Sequence, residues 1–471
     1  MALCVVMVVS TLILLTLCAD EGIDYDESYS FHSARDFTQV EIVRKMIEDF
    51  DTDVPLYYNA LRVWILLFGR IGHRFFAARL FSVAGTIASM LLGVTVIRRL
   101  WGYRTALYFM IATSLAPAML HVSVNIRMYS WTNFLVTASA LLAYCIVQNP
   151  KQKRMWILLA FCTLAAVFTH YFTVFAYVAI YLYLLIALFL QDRKQVWKVF
   201  ACGIGPASAI LAWMAISGFF HFVQADGGET EMKKITIKGL LYYLFQTDMH
   251  FCLTIGVVLI VVAFVGALFF MKNSTGKCEK AFALLCLLTI FASYLLALVL
   301  SSFSSHFFIP RHIMHATGIM WLGIAIILPR INWQVYLAGL AVLVSVCFAN
   351  YKEEYTNAYR DTPYLEDTKE FIATQMEPGD CVIFSTEKKY ATLYKCYMPQ
   401  QEFYHLTEIE DLQEFAGRRV WYFSTDWRQY FTDEQVEKYG ISAVNMGHYG
   451  FQIMDNCTDF DLLRLEIRGV E

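Results

Sequence analysis

Four short stretches place ionisable side chains where their surroundings are apolar. The first, Asp24-Tyr25-Asp26-Glu27-Ser28, follows the opening apolar run. A carboxylate held there could take a proton from a hydroxyl; the alternative is a solvated loop that merely ends a helix. The second, Asn125-Ile126-Arg127-Met128-Tyr129-Ser130, leaves Arg127 almost no loop in which to be solvated. Its guanidinium either grips a carboxylate or phosphate in bidentate fashion or snorkels to a membrane interface. The third is Thr169-His170-Tyr171-Phe172, whose histidine reads as a ligand or base, or as a hydrogen-bonded packing residue. The fourth joins Ser304-Ser305-His306 to Pro310-Arg311-His312. Arg311 opens an apolar run and needs an anionic partner, a wet cavity or a lipid head group. His315 follows about one turn on, on the helix face of Arg311 and His312.

The elements that position these residues are set by composition. The 471 residues are 58% hydrophobic and 16% charged, against about 25% charged in a soluble domain. The apolar residues are clustered in runs long enough to cross a hydrocarbon core, which takes about 20 residues of helix. We read about eleven such spans, at 2–19, 76–97, 105–122, 131–148, 156–169, 173–190, 199–220, 252–271, 281–302, 313–328 and 335–350. The run at 2–18 has no basic n-region and no small-x-small site before Asp20, so it reads as a span and not as a signal peptide.

Alternate loops collect the positive charge: Arg98, Arg99 and Arg104; Lys151, Lys153 and Arg154; Arg193, Lys194 and Lys198; Lys272, Lys277 and Lys280; then Arg330. By the positive-inside rule that side is cytoplasmic and the N-terminus lies inside. An odd number of spans puts the C-terminal end outside. All four chemistry-bearing stretches then share the outer side. A charge near the bilayer centre costs about 2.5–3.5 kcal/mol, so this outward cluster of carboxylates, Arg and His suggests chemistry on a phosphate-bearing lipid. The net charge of −3 and the absence of a Lys/Arg stripe give no reason to invoke nucleic acid. Within the outer loop 20–75, Phe37, Val40, Val43, Ile47 and Phe50 recur at helical spacing. So do Leu56, Ala60, Val63 and Leu67 after Pro55. Two amphipathic helices in the outer interface satisfy both patterns.

From 351 the composition becomes that of a soluble domain. Helical segments from Thr362 to about Met376, at 393–397 and at 408–415 alternate with strand-like 381–384, 403–406 and 420–423, predicting a small α/β domain over 351–471. It has no Gly-rich phosphate loop and no metal-ligand spacing. Most cysteines sit inside spans; Cys381, Cys396 and Cys457 fall in this domain, where one pair could bridge if it is extracytoplasmic.

Asp26-Glu27 after the first span, Pro55-Leu56-Tyr57-Tyr58, Arg127-Met128-Tyr129-Ser130, Thr169-His170-Tyr171-Phe172 and Pro310-Arg311-His312 occur in an order that resembles the integral membrane glycosyltransferases of the GT-C class. The chain looks most like bacterial members of glycosyltransferase family 39, relatives of protein O-mannosyltransferases and aminoarabinose transferases. The resemblance covers roughly 20–350 and implies a transmembrane glycosyltransferase domain at 1–350. It departs where Asp53-Val54-Pro55 replaces His-Pro-Pro, and where His312 follows Arg311 in place of Tyr.

What the resemblance implies is a polyprenyl-phosphate-linked sugar donor and transfer at the outer face of the plasma (inner) membrane. Asp26 matches the catalytic acidic position, with Glu27 as its supporting neighbour. Arg311 matches the arginine that holds the lipid phosphate, and Arg127 joins it on the donor. Tyr57, Tyr58, Tyr129, His170, Tyr171, His306 and His312 line the substrate cavity. The acceptor class stays open among a lipid, a glycan and a protein. No cofactor is required; some members of the class use a divalent metal, and no cluster here demands one. Two other readings are a transporter or flippase of lipid-linked sugars and an outer-face glycan polymerase or ligase. A transporter is expected to carry paired repeats and broken spans near mid-membrane, whereas these polar residues gather at one face.

Overall fold

A computed structural model describes residues 2–48, 53–217, 276–301, 310–360, 362–424, 431–453 and 456–469, with a few isolated positions near 261–266. Its chain divides into two compact units. One comprises Met1–Ala19, Phe37–Gly72 and Phe76–Glu354; the other comprises Asp20–Asp36, His73–Phe75 and Tyr355–Glu471.

The first unit is a helical bundle. Among the described residues seven helices are long and apolar enough to cross a membrane, or eight if a bent pair counts as one span. The sequence-predicted spans at 2–19 and 156–169 appear as the shorter helices Ala2–Cys18 and Lys153–Thr169. The span at 252–271, apart from those isolated positions, lies outside the described residues. Ile157, Phe161, Leu182, Phe200, Leu295 and Phe348 are all more than half exposed on the bundle surface. So much exposed apolar area suits lipid, not water. The chain is a multi-pass integral membrane protein in this architecture.

One predicted span is not straight. Residues 105–122 fold as two helices, Tyr103–Leu115 and Pro117–Val124, bent by 59°. The proline is the cause. It forces Ala116 into extended backbone (φ −61°, ψ 151°) and cannot donate into the preceding turn.

The helix Thr317–Ile331 is central. Every residue from Thr317 to Leu328 is buried, as expected of a helix apolar on all sides. It packs against Lys277–Ser301, Tyr103–Leu115 and Tyr129–Gln148. Small residues permit the close approach. A Cβ on Gly318 would lie 2.9 Å from Thr137 Oγ1, and one on Gly323 would lie 3.0 Å from Cys286 Cβ.

The basic loops gather at one end of this bundle. Trp101 stacks on Phe282 with ring centroids 5.6 Å apart. Arg330 pairs with Glu279 at 2.8 Å, Lys198 Nζ donates to Pro150 O at 3.2 Å, and Tyr336 Oη donates to Arg104 O at 3.1 Å. The two amphipathic helices form as Gln39–Glu48 and Pro55–Phe68.

The second unit contains a five-stranded mixed sheet in the order β2-β1-β3-β5-β4. The strands are β1 (Cys381–Phe384), β2 (Glu402–His405), β3 (Val420–Ser424), β4 (Ser442–Ile453) and β5 (Asn456–Glu466). β1 runs parallel to β2 and β3, and β5 pairs antiparallel with β3 and β4. The predicted helix at 408–415 is instead two 3-10 turns, Leu406–Glu408 and Leu412–Phe415. The His405 and Asp411 side chains accept from Thr407 N–H and Gln413 N–H, and such local bonds compete with a continuous helix. Cys381 and Cys396 are free thiols, with burial pushing that of Cys396 up to about 12.

The helix Tyr25–Asp36 also belongs to this unit. Asp36 at its end receives both Arg35 Nε and Nη2, each at 2.6 Å, and lies 2.5 Å from His32 Nδ1. Burial acts to raise its carboxyl, but the Arg35 and His32 hydrogen bonds win and hold it well below the ordinary range. A depressed acid contributes stability above its unfolded value, about 3.9, and loses it as pH falls towards the folded value. The melting-temperature deficit of Asp36→Asn should therefore be present at neutral pH and shrink as the buffer is made more acidic than the unfolded carboxyl value. An equal deficit at acidic and neutral pH would contradict this assignment.

Candidate active site

Three of the four singled-out stretches bring residues together in the bundle unit. His170, 4% exposed, lies between the helices Lys153–Thr169 and Thr173–Gln191. Its ring sits 5.6 Å from Tyr129, 5.6 Å from His312 and 6.4 Å from His315. Tyr171 lies 5.7 Å from it, and Phe172 stacks on His312 at 4.3 Å. The loops after Val124, after Thr169 and before Thr317 thus meet at the end of the bundle opposite the basic loops.

The protonation pattern follows from the backbone. Phe172 N–H donates to His170 Nδ1 at 3.3 Å, so a neutral ring carries its proton on Nε2. His315 Nδ1 donates to His312 O at 2.8 Å, which makes Nε2 the acceptor. His315 is fully buried, and this Nε2 has no hydrogen-bond partner among the described residues. Sequence spacing put His315 on one α-helical face with Arg311 and His312; the segment Pro310–Ala316 is 3-10 instead. In that geometry i and i+3 eclipse, so His312 and His315 share the face turned to His170.

Arg127 is half-buried and held by its loop. Its N–H bonds Asn125 O at 2.7 Å, and Ser82 Oγ donates to the same carbonyl at 2.6 Å. Arg127 Nη1 donates to Tyr58 Oη at 3.5 Å, and Tyr58 donates to the Asp53 carboxylate. Asp53 thereby orients both. Tyr57 is buried, edge-on to Tyr58 at 5.5 Å and against Phe81 at 5.7 Å. Arg311 has its backbone in the 3-10 segment, but its side chain and all of His306 lie outside the described residues.

Asp26 and Glu27 open the helix Tyr25–Asp36 in the second unit. Asp24 Oδ1 accepts from Glu27 N–H at 2.6 Å, and Glu27 Oε2 accepts from Asp24 N–H at 3.3 Å. This reciprocal pair is a capping box. It explains the complete burial of Glu27 and leaves Asp26, half-buried, as the carboxylate at the second helical position. The Asp24-x-x-Glu27 spacing marks this helix, a segment whose alternative reading from sequence was a solvated loop.

Asn133 was not singled out in the sequence. It is 1% exposed, and its Nδ2 donates to Tyr129 O at 3.0 Å and Met314 O at 2.9 Å. Its Oδ1 accepts from Gly318 N–H at 2.7 Å. One side chain thus ties the Tyr129 end of its helix to the segment carrying Arg311, His312 and His315. Among the described residues no group of three or more His, Cys, Asp or Glu is arranged to hold a metal ion.

No protein-family model matches the chain, and no curated protein matches it by sequence. The fold is nonetheless shared with solved structures. The crystal structure of ArnT from Cupriavidus metallidurans bound to undecaprenyl phosphate superposes with a TM-score of 0.59 at 12% identity, covering 98% of this chain and 97% of that one. The same protein in the apo state gives 0.57 at 12% identity, with the same coverage.

Proposed function

We propose that this chain moves a sugar from a polyprenyl-phosphate-linked donor to an acceptor hydroxyl at the outer membrane face. The supporting observation is the likeness in fold, over nearly the whole of both chains, to ArnT bound to undecaprenyl phosphate. Asp26 takes the hydroxyl proton as the acceptor oxygen attacks the anomeric carbon from the face opposite the phosphate. The new C–O bond forms, the bond from carbon to phosphate oxygen breaks, and polyprenyl phosphate leaves. Arg311, with Arg127, offsets the charge growing on that phosphate. Tyr57, Tyr58, Tyr129, His170, Tyr171 and His312 offer hydrogen bonds and ring faces to the sugar and the lipid phosphate. The gathered basic loops support a cytoplasmic N-terminus, an outer site and an extracytoplasmic C-terminal domain. No step runs through a metal.

Proteoliposomes supplied with undecaprenyl-phosphate-linked labelled sugar test this. A transferase releases undecaprenyl phosphate and moves the label to an acceptor fraction. A flippase carries the label across the bilayer with its phosphate bond intact, and that result would overturn the proposal. Transfer only of preassembled glycan blocks would favour the polymerase or ligase reading. Arg311→Ala should raise the donor KM about tenfold or more, as expected for loss of a charge-assisted phosphate contact. Unchanged donor dependence would remove the phosphate role from Arg311.

A further inference from the structure

The helix that opens with Asp26 is built into the C-terminal unit. The support begins in the sheet. Tyr394 on the helix Ala391–Tyr397 packs on Phe384 at 5.4 Å and on Phe423 at 5.4 Å, and Tyr397 stacks on Phe451 at 4.5 Å. That short helix ends with carbonyls that have no partner within the helix. Two arginines from elsewhere in the chain take them. Arg35 Nη2 donates to Lys395 O at 3.2 Å and Nη1 to Cys396 O at 3.5 Å. Arg74 Nη1 donates to Cys396 O at 2.8 Å and Tyr397 O at 3.1 Å.

Further bonds extend the clamp along residues 21–31. Tyr397 Oη donates to Glu21 O at 2.9 Å, and Lys369 Nζ pairs with Glu21 at 2.5 Å. Cys396 Sγ donates to Ser28 O at 3.5 Å. Phe75 closes the set, edge-on to Phe31 at 5.0 Å and to Tyr397 at 5.5 Å. Cations at a helix C-terminus are favoured by its dipole, and these bonds are partly buried, so leaving their groups unpaired carries a cost. The helix Tyr25–Asp36 itself has a polar sequence with little helical periodicity. Isolated helices this short are marginal in water, so its order comes from these contacts.

We propose that the C-terminal α/β unit is the device that holds the Asp26 helix in place, with Arg35 and Arg74 as positioning residues. This rests on the assignment of Asp26 as the base. The consequence is kinetic: a loosened clamp lowers turnover without weakening lipid-phosphate binding.

The test is the full-length Arg35→Gln/Arg74→Gln variant in nanodiscs, measured in two ways. Hydrogen exchange should accelerate about tenfold or more at the amides of 25–36, while β1 and β3 stay protected. Turnover should fall about tenfold to a hundredfold, with binding of undecaprenyl phosphate unchanged. Unchanged exchange at 25–36 would overturn the clamp. Accelerated exchange with wild-type turnover would overturn its positioning role. Should the sheet amides of the double variant also open, Tyr397→Phe removes only the Glu21 bond. It should loosen the start of the acid helix by a smaller factor, and no change there would count against the proposal. If wild-type protein transfers no sugar, the assigned function falls, and the exchange measurement still decides whether this unit holds the helix.

Discussion

Asp26→Asn should lower the turnover of sugar transfer by about 10²–10⁴-fold, the range that general-base catalysis contributes, while the protein inserts and folds as before. The substitution is nearly isosteric and sits at the second position of a helix whose cap is made by Asp24 and Glu27. Losing a charge in a first helical turn costs about 0.3–1 kcal/mol, far less than the expected effect on rate. Glu27→Gln separates base from cap. Glutamine can close a capping box as glutamate does, so this variant should keep both the helix and most of the turnover. Normal transfer by Asp26→Asn would remove it as the base. A collapse of turnover in Glu27→Gln with the helix intact would move the chemistry to Glu27. Membranes carrying each variant, supplied with undecaprenyl-phosphate-linked labelled sugar, provide the measurement.

How much of this was legible depends on which interaction carries each element. Helices such as Tyr129–Gln148 and Thr173–Gln191 follow from hydropathy alone, since burial in lipid needs only length and apolarity. The break at Ala116 needed Pro117 to be weighed against an otherwise apolar run. The helix Tyr25–Asp36 has no apolar stripe to betray it, and its signal is the Asp24-to-Glu27 spacing. The hairpin of β4 and β5 lacks a clear strand pattern in sequence. β5 lies between β3 and β4, and Leu462 and Leu463, on opposite faces, are both buried. A strand covered on both faces loses the alternation that marks a half-exposed one.

The site divides in the same way. Tyr129, His170 and His312 could be placed on one side of the membrane from loop order, and they do meet. Their mutual distances depend on which backbone groups lack partners, and no sequence pattern carries that. Asn133 shows this most clearly, because within an apolar span it reads as one more polar interruption.

Asn133→Ala should destabilise the bundle by roughly 1–3 kcal/mol, the cost of leaving buried polar groups unmade, and should raise the donor KM. The helix Thr317–Ile331 begins with Ala316 at its N-cap, which offers no side-chain acceptor. Its first N–H groups need one from elsewhere. Asn133 supplies it from another helix by accepting from Gly318 N–H at 2.7 Å, while its amide nitrogen holds Met314 O at 2.9 Å. The bonds therefore fix where 3-10 gives way to α-helix, and with it the segment bearing Arg311 and His312. Two further substitutions tell hydrogen bonding from packing. Asn133→Leu restores volume without polar atoms; it should be no better than alanine if the bonds matter, and clearly better if a cavity is the cause. Asn133→Asp keeps the acceptor for Gly318 but presents oxygen to the carbonyls of Tyr129 and Met314, and should be impaired as well. Interhelical hydrogen bonds in membrane proteins average only about 0.6 kcal/mol. A loss in melting stability well beyond that average, together with a raised donor KM, would mark Asn133 as the strut of the site. Wild-type stability and donor use in Asn133→Leu would assign it to packing alone.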